Sequence, residues 1–119
     1  MRLGFYTDYS RDIAQFAQDT GFTSMELSAW PQSALNADHV TDERIKEIRA
    51  DLDSRGIEIS ALGYYPNYLA ADQDEAAEYT RYFRKVMQLA DRMEVDAVCT
   101  FAGMTPGWTV EQCMDPFAA

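Results

Sequence analysis

Basic side chains, thiols and imidazoles are all scarce in these 119 residues, and each shortage closes off a class of chemistry. Ten Lys and Arg stand against twenty Asp and Glu, giving a formal charge of −10. Such a chain repels phosphate backbones and has no basic stripe with which to release counterions, so no nucleic-acid partner is expected. Only two cysteines occur, Cys99 and Cys113, with neither metal-ligand spacing nor a secretory context, and they are read as reduced thiols. The single histidine, His39, sits in a polar loop without neighbouring ligands for a metal. No apolar run is long enough to cross a bilayer, and Asp8 interrupts the N-terminus before a signal peptide can form. A cytoplasmic setting with no membrane partner follows as the expectation. Also missing are a G-x-G-x-x-G after the first strand and a G-x-x-x-x-G-K-[ST], the usual signals of a nucleotide-binding doubly wound sheet. No G-x-S-x-G elbow exists, and a Ser-His-Asp triad would have to recruit His39.

What is present is a repeat. The composition is 47% hydrophobic with aromatics throughout, enough for a real core. The junctions Gly21-Phe22-Thr23-Ser24-Met25-Glu26-Leu27, Gly56-Ile57-Glu58-Ile59-Ser60-Ala61-Leu62 and Glu94-Val95-Asp96-Ala97-Val98-Cys99-Thr100 resemble one another. Each passes from an amphipathic segment into a short apolar one. The steps from Gly21 to Gly56 to Glu94, 35 and 38 residues, match a strand, a loop and a helix together. Strands are predicted at Leu3–Thr7, Ser24–Ser28, Glu58–Leu62 and Ala97–Phe101, forming a parallel sheet with helical crossovers. The first helix is expected to start at a Ser10 cap with Ile13, Phe16 and Ala17 inward. The second has Thr41 as cap, Ile45, Ile48 and Leu52 on one face and Gly56 just past its end. The third begins near Asp74 and buries Tyr79, Tyr82, Phe83, Val86, Leu89, Ala90 and Met93, with Met87 also read as core. Glu94 stands where glycine ended the earlier helices, so this turn needs another solution. A fourth helix starts within Thr109–Met114, and the sequence stops about two turns later. One domain over 1–119 is therefore expected, truncated near the start of that helix. A small open α/β sheet is the alternative fold.

Parallel α/β sheets bind ligands at the C-terminal ends of their strands, where side chains converge. That face here collects Tyr6, Thr7, Asp8 and Tyr9, then Glu26, Ser28 and Trp30, then Tyr64, Tyr65 and Asn67, and finally Thr100, Gly103 and Trp108. Aromatic plates with scattered hydrogen-bonding groups suit a sugar. The segments Ile59–Leu69, Val98–Gly103 and Ser24–Leu27 resemble the xylose-isomerase-like TIM-barrel family, which includes sugar phosphate isomerases and epimerases.

The resemblance implies an α/β fold of parallel βα units, about four of them, forming the N-terminal half of a (β/α)₈ barrel. It implies the N-terminal portion of an enzyme that moves a proton or hydride on a sugar or sugar phosphate with help from a divalent metal (Mn, Mg, Co or Zn). The family's ligands lie on strands five to eight, so no residue here carries over as a metal ligand and this chain alone is expected to bind none. Glu26 carries over as a pocket carboxylate and candidate catalytic group, Tyr6 as a substrate contact, and Tyr65 and Asn67 as shaping groups; Trp30 and Trp108 join them as candidate substrate-binding residues. Two glutamates would be needed for epimerisation, and Glu26 is one, which leaves activity of this chain open. A non-catalytic interaction or regulatory module is the alternative. An endonuclease-IV-like DNA-repair relative ranks lower, because Lys46 and Lys85 are the only lysines and both fall on predicted outer helices. Open sheet edges add the expectation of a homodimer.

Overall fold

The computed structural model describes residues 1–118. Strands and helices alternate strictly: β1 (Gly4–Thr7), α1 (Arg11–Thr20), β2 (Ser24–Ser28), α2 (Asp42–Ser54), β3 (Glu58–Gly63), α3 (Gln73–Arg92), β4 (Val98–Cys99) and α4 (Val110–Ala118). The helix starts follow local chemistry. Ser10 Oγ accepts from the Ile13 N–H at 3.1 Å, Thr41 Oγ1 from Arg44 at 3.2 Å, and the Asp72 carboxylate from Asp74 and Glu75 at 2.9 and 3.2 Å. Each bond satisfies a first-turn donor that the helix itself cannot pair. Gly56 takes the left-handed position after α2 at φ 70. After α3 the same position falls to Glu94 at φ 52, the one non-glycine residue with positive φ among the described residues.

All strands run parallel in the order β1-β2-β3-β4. Met25, Leu27 and Leu62 point from the sheet into a layer made by Ala14 and Ala17 of α1, Ile45, Ile48 and Leu52 of α2, and Tyr82, Val86 and Leu89 of α3, all buried. The β2–β3 register slips by one residue. Met25 pairs with Ile59 but Glu26 pairs with Ala61, so Ser60 is unpaired, and its hydroxyl donates to the Met25 carbonyl at 3.1 Å. Because strand side chains alternate faces, this bulge moves the core-facing set of β3 from odd numbers (Ile57, Ile59) to even ones (Leu62, Tyr64).

Three expectations need correction. The fourth strand, predicted over Ala97–Phe101, is a strand only at Val98–Cys99, because its neighbour β3 ends at Gly63, the partner of Cys99, and Phe101 is exposed. Phe16 is not an inner residue of α1. Ala14 and Ala17 fill that role, while Phe16 reaches sideways to the rings of Phe5 and Phe22, each 6.4 Å away, and stays exposed. Met87 is exposed, whereas Met93 is buried as expected.

The helices cover one face of the sheet, leaving the concave face open: the arrangement is half of a (β/α)₈ barrel. Its extents are 46 × 31 × 21 Å and its radius of gyration is 16.0 Å. A compact domain of this length would have a radius of about 13.5 Å.

Candidate functional site

Three strands deliver side chains to one point on the concave face. Tyr6 on β1 and Glu26 on β2 are direct register partners, and the β3 bulge turns Ala61 and Gly63 toward the same side. Just beyond β3, Tyr65 folds back so that its hydroxyl donates a hydrogen bond to Glu26 Oε1. Its ring meets Tyr6 edge-on at 5.5 Å and lies 4.8 Å from Phe101. Gly63 makes this possible. A Cβ there would sit 2.5 Å from Glu26 Oε1, 2.7 Å from the Tyr6 ring and 2.9 Å from the Tyr65 ring.

The Tyr65 phenol is held well above its ordinary pKa of 10.0, first by burial and then by its hydrogen bond to the Glu26 carboxylate and the charge there. It therefore stays protonated and remains a donor. The site thus offers a carboxylate that accepts hydrogen bonds, a neutral phenol locked to it, and aromatic edges on either side. That set can grip a hydroxylated ligand and can take or give a proton at Glu26.

The remaining sequence-derived candidates lie elsewhere. Trp30 packs on Tyr64 at 4.8 Å, and Tyr64 lies 4.9 Å from Tyr82. The Tyr82 hydroxyl donates to the Ala29 carbonyl at 2.8 Å and accepts from the Ala37 N–H at 2.9 Å, which pins the loop carrying Trp30 to α3. Asn67 commits its whole amide to the backbone: Nδ2 donates to the Met104 carbonyl at 2.8 Å, and Oδ1 accepts from Met104 and Leu69 N–H groups at 2.8 and 3.2 Å. Its action is to clamp the loop after β3 to the loop after β4, helped by a 2.8 Å bond between the Tyr68 and Thr100 hydroxyls. Trp108 lines a separate apolar cavity of about 190 Å³ together with Leu69, Met104, Val110, Cys113 and Met114. Tyr9 is buried and donates to Asp51 Oδ2 of α2 at 2.9 Å, so it belongs to the helix layer, and Asp8 accepts from the Ala34 N–H at 3.0 Å. His39 is exposed.

Gly63 and Phe101 are the members that sequence reading gave no role. A glycine ending an apolar strand two residues before a tyrosine on the same face was the available signal for the first; nothing fixed the direction of the second. Cys99 and Cys113 are free thiols. Among the described residues no three His, Cys, Asp or Glu side chains converge as a metal-binding set, so the residues present do not fit a divalent ion by themselves. No helix of the described residues is long and apolar enough to cross a membrane.

A family model, xylose isomerase-like TIM barrel, matches residues 14–119. The chain belongs to this family. Among solved structures, it is similar to D-psicose 3-epimerase with D-tagatose from Clostridium cellulolyticum H10, at 15% identity and TM-score 0.66, over 99% of this chain and 47% of that one. It is similar also to the probable 3-DHS dehydratase AsbF, involved in petrobactin synthesis, from Bacillus anthracis, at 19% identity and TM-score 0.65, over 99% and 48%. These likenesses concern the fold, and the xylose isomerase-like chain spans about half the length of each structure. Among curated proteins none matches the sequence.

Proposed function

We propose that the chain forms the ligand-binding wall of a cytoplasmic barrel enzyme that isomerises or epimerises a sugar or sugar phosphate. The observation that carries this reading is the Glu26–Tyr65 pair at the strand ends, flanked by Tyr6 and Phe101. Ligand hydroxyls can donate to the carboxylate while the aromatic edges cover the C–H faces of the sugar. The likeness to an epimerase structure that holds D-tagatose supports the same substrate class. Both reactions can begin with removal of a proton beside a carbonyl, which needs a base within hydrogen-bond reach. Glu26 would serve as that base, with Tyr65 as the positioning residue, a role that its hydrogen bond to the carboxylate supports.

A bound divalent metal would stabilise negative charge on the substrate oxygens. The described residues do not form its ligand set, so its binding is assigned to the other half of the barrel.

The test is titration of the chain with D-tagatose and with a ketohexose phosphate, followed by calorimetry. Saturable binding is expected, weakened at least tenfold, or about 1.4 kcal/mol, by Glu26→Gln and by Tyr65→Phe. Binding that ignores both substitutions, or no binding of either sugar, would sink this reading. A non-catalytic interaction module is then the better account, favoured by the exposed apolar residues Phe101, Met104, Val110 and Met114.

A further inference from the structure

The segment 100–105, which follows β4, has no regular secondary structure. Among the described residues, the hydrogen bonds that tie it to another segment all reach back to 67–69. Asn67 holds the Met104 N–H and the Met104 carbonyl, both at 2.8 Å, Thr105 Oγ1 donates to the Leu69 carbonyl at 2.8 Å, and the Tyr68 and Thr100 hydroxyls are 2.8 Å apart. The two backbones also approach more closely than a side chain would permit. Gly103 has a left-handed φ of 94, and a Cβ there would meet Asn67 Oδ1 first, then the backbone nitrogens of Tyr68 and Leu69 at 2.9 and 3.0 Å. Backbone atoms cannot swing aside as a side-chain tip can, so this contact requires glycine.

The joined loops carry two of the pocket's rings. Tyr65 stands two residues before Asn67, and Pro66 between them is buried. Proline fixes its own φ and confines the residue before it to extended backbone, so a displacement at Asn67 is passed on to Tyr65 instead of being absorbed. On its other side Tyr65 is anchored by Tyr64, which is buried and whose N–H donates to the Cys99 carbonyl at 3.0 Å. Phe101 stands two residues before Gly103, and its ring lies 4.8 Å from that of Tyr65. Asn67 therefore acts on both the backbone that aims the phenol and the ring that backs it.

We propose that Asn67 is a positioning residue that works through Tyr65: with Gly103 opposite, it locks the two loops into one wall and so keeps the phenol on the Glu26 carboxylate. The Tyr65–Glu26 hydrogen bond exists without a ligand, so the hold on Tyr65 can be read directly. Only the consequence for D-tagatose affinity rests on the sugar-binding reading above.

The test uses Asn67→Ala and Gly103→Ala, which break the latch from opposite sides, singly and combined, with circular dichroism confirming the fold. Tyrosine Cζ resonances are followed by NMR at about pH 10.5, where an ordinary phenol is mostly ionised, and Tyr65 is assigned by the resonance missing from Tyr65→Phe. Tyr65 is expected to stay protonated in the unaltered chain and to be more than half ionised in either variant, its phenol having returned toward 10.0. The combined variant should go no further than the singles, because both remove the same contact. Thr41→Ala, which weakens α2 away from the latch, should leave Tyr65 protonated. Calorimetry should show D-tagatose binding weakened at least tenfold by each latch variant. A phenol that stays protonated in the latch variants, effects of the two that simply add, or release by Thr41→Ala as well would overturn the proposal. Lost affinity with the phenol still held would overturn it while leaving the functional reading standing. A released phenol in a chain that never binds the sugar would uphold it and remove the functional reading.

Discussion

A methyl group added at Gly63 would meet only the far ends of Glu26, Tyr6 and Tyr65, side chains able to swing away. Gly63→Ala should therefore cost little stability, about 1 kcal/mol or less at the low end of overpacking penalties, while parting Tyr65 from Glu26. The measurement is a thermal melt alongside a phenol titration: the melt should barely move and one tyrosine should titrate closer to its ordinary 10.0. The same phenol makes a pH prediction. Its proton is held more tightly in the folded chain than in the unfolded one, so its contribution to stability is complete below pH 10 and is lost as pH rises through the folded value. Tyr9, Tyr64, Tyr68 and Tyr82 are shifted the same way, burial being the largest cause in each. Urea denaturation at stepped alkaline pH should show stability falling above pH 10, with a shallower fall for Tyr65→Phe. The members of the site differ in how far they were readable from sequence. Tyr6 and Glu26 were, because strand alternation fixes which way they point. Trp30, Asn67 and Trp108 were named by residue type and loop position, which carry no direction. Their partners, Tyr64 for Trp30 and the Met104 backbone for Asn67, are contacts between distant segments that no local pattern encodes.

At the scale of elements, caps and turns were legible, and edges were not. Thr41 and Gly56 bound α2 as their chemistry requires, and Thr41→Ala should cost about 1 kcal/mol in chemical denaturation. Glu94 marks where sequence left a question: its left-handed φ of 52 is a conformation that side chains disfavour. Glu94→Gly should stabilise the chain by roughly 0.5–1 kcal/mol, read as a higher urea midpoint at unchanged slope. The substitution gives up an ion pair to Arg49 at 3.0 Å whose side chains are 35% and 78% exposed, and such pairs contribute little. An unshifted or lowered midpoint would mean that the ion pair outweighs the backbone. The misread elements, α1 and β4, are both terminal in the sheet. Periodicity assumes full cover on every apolar face, and Phe16 and Phe101, each touching aromatic rings on one side, stay exposed among the described residues.

For the whole molecule, a charge of −10 opposes self-association, while the exposed side chains Phe101, Val110 and Met114 are apolar. Association should accordingly strengthen as salt rises from about 0.05 to about 0.5 M, since screening removes the repulsion and leaves apolar contact intact. Sedimentation at the two salt levels checks the sign, and weakening by salt would point to an interface built from ion pairs instead. The fold class was legible as a whole because the βα repeat is a property of the entire sequence, recurring from Gly21 to Gly56 to Glu94. One small irregularity inside that repeat governs the rest. A strand has only two reading frames, and Ser60 switches β3 from one to the other part-way along. Without the bulge, Ser60 would pair with Glu26 and the first frame would run to the strand's end, sending Leu62 and Tyr64 toward the barrel axis and turning Gly63 and Tyr65 to face the helices. Pocket and core would thus change places along the outer half of β3, leaving Glu26 without its phenol, whereas deleting Ser60 would keep both faces, because Ala61 would follow Ile59 directly and still pair with Glu26. The pocket thus depends on one residue staying out of the ladder.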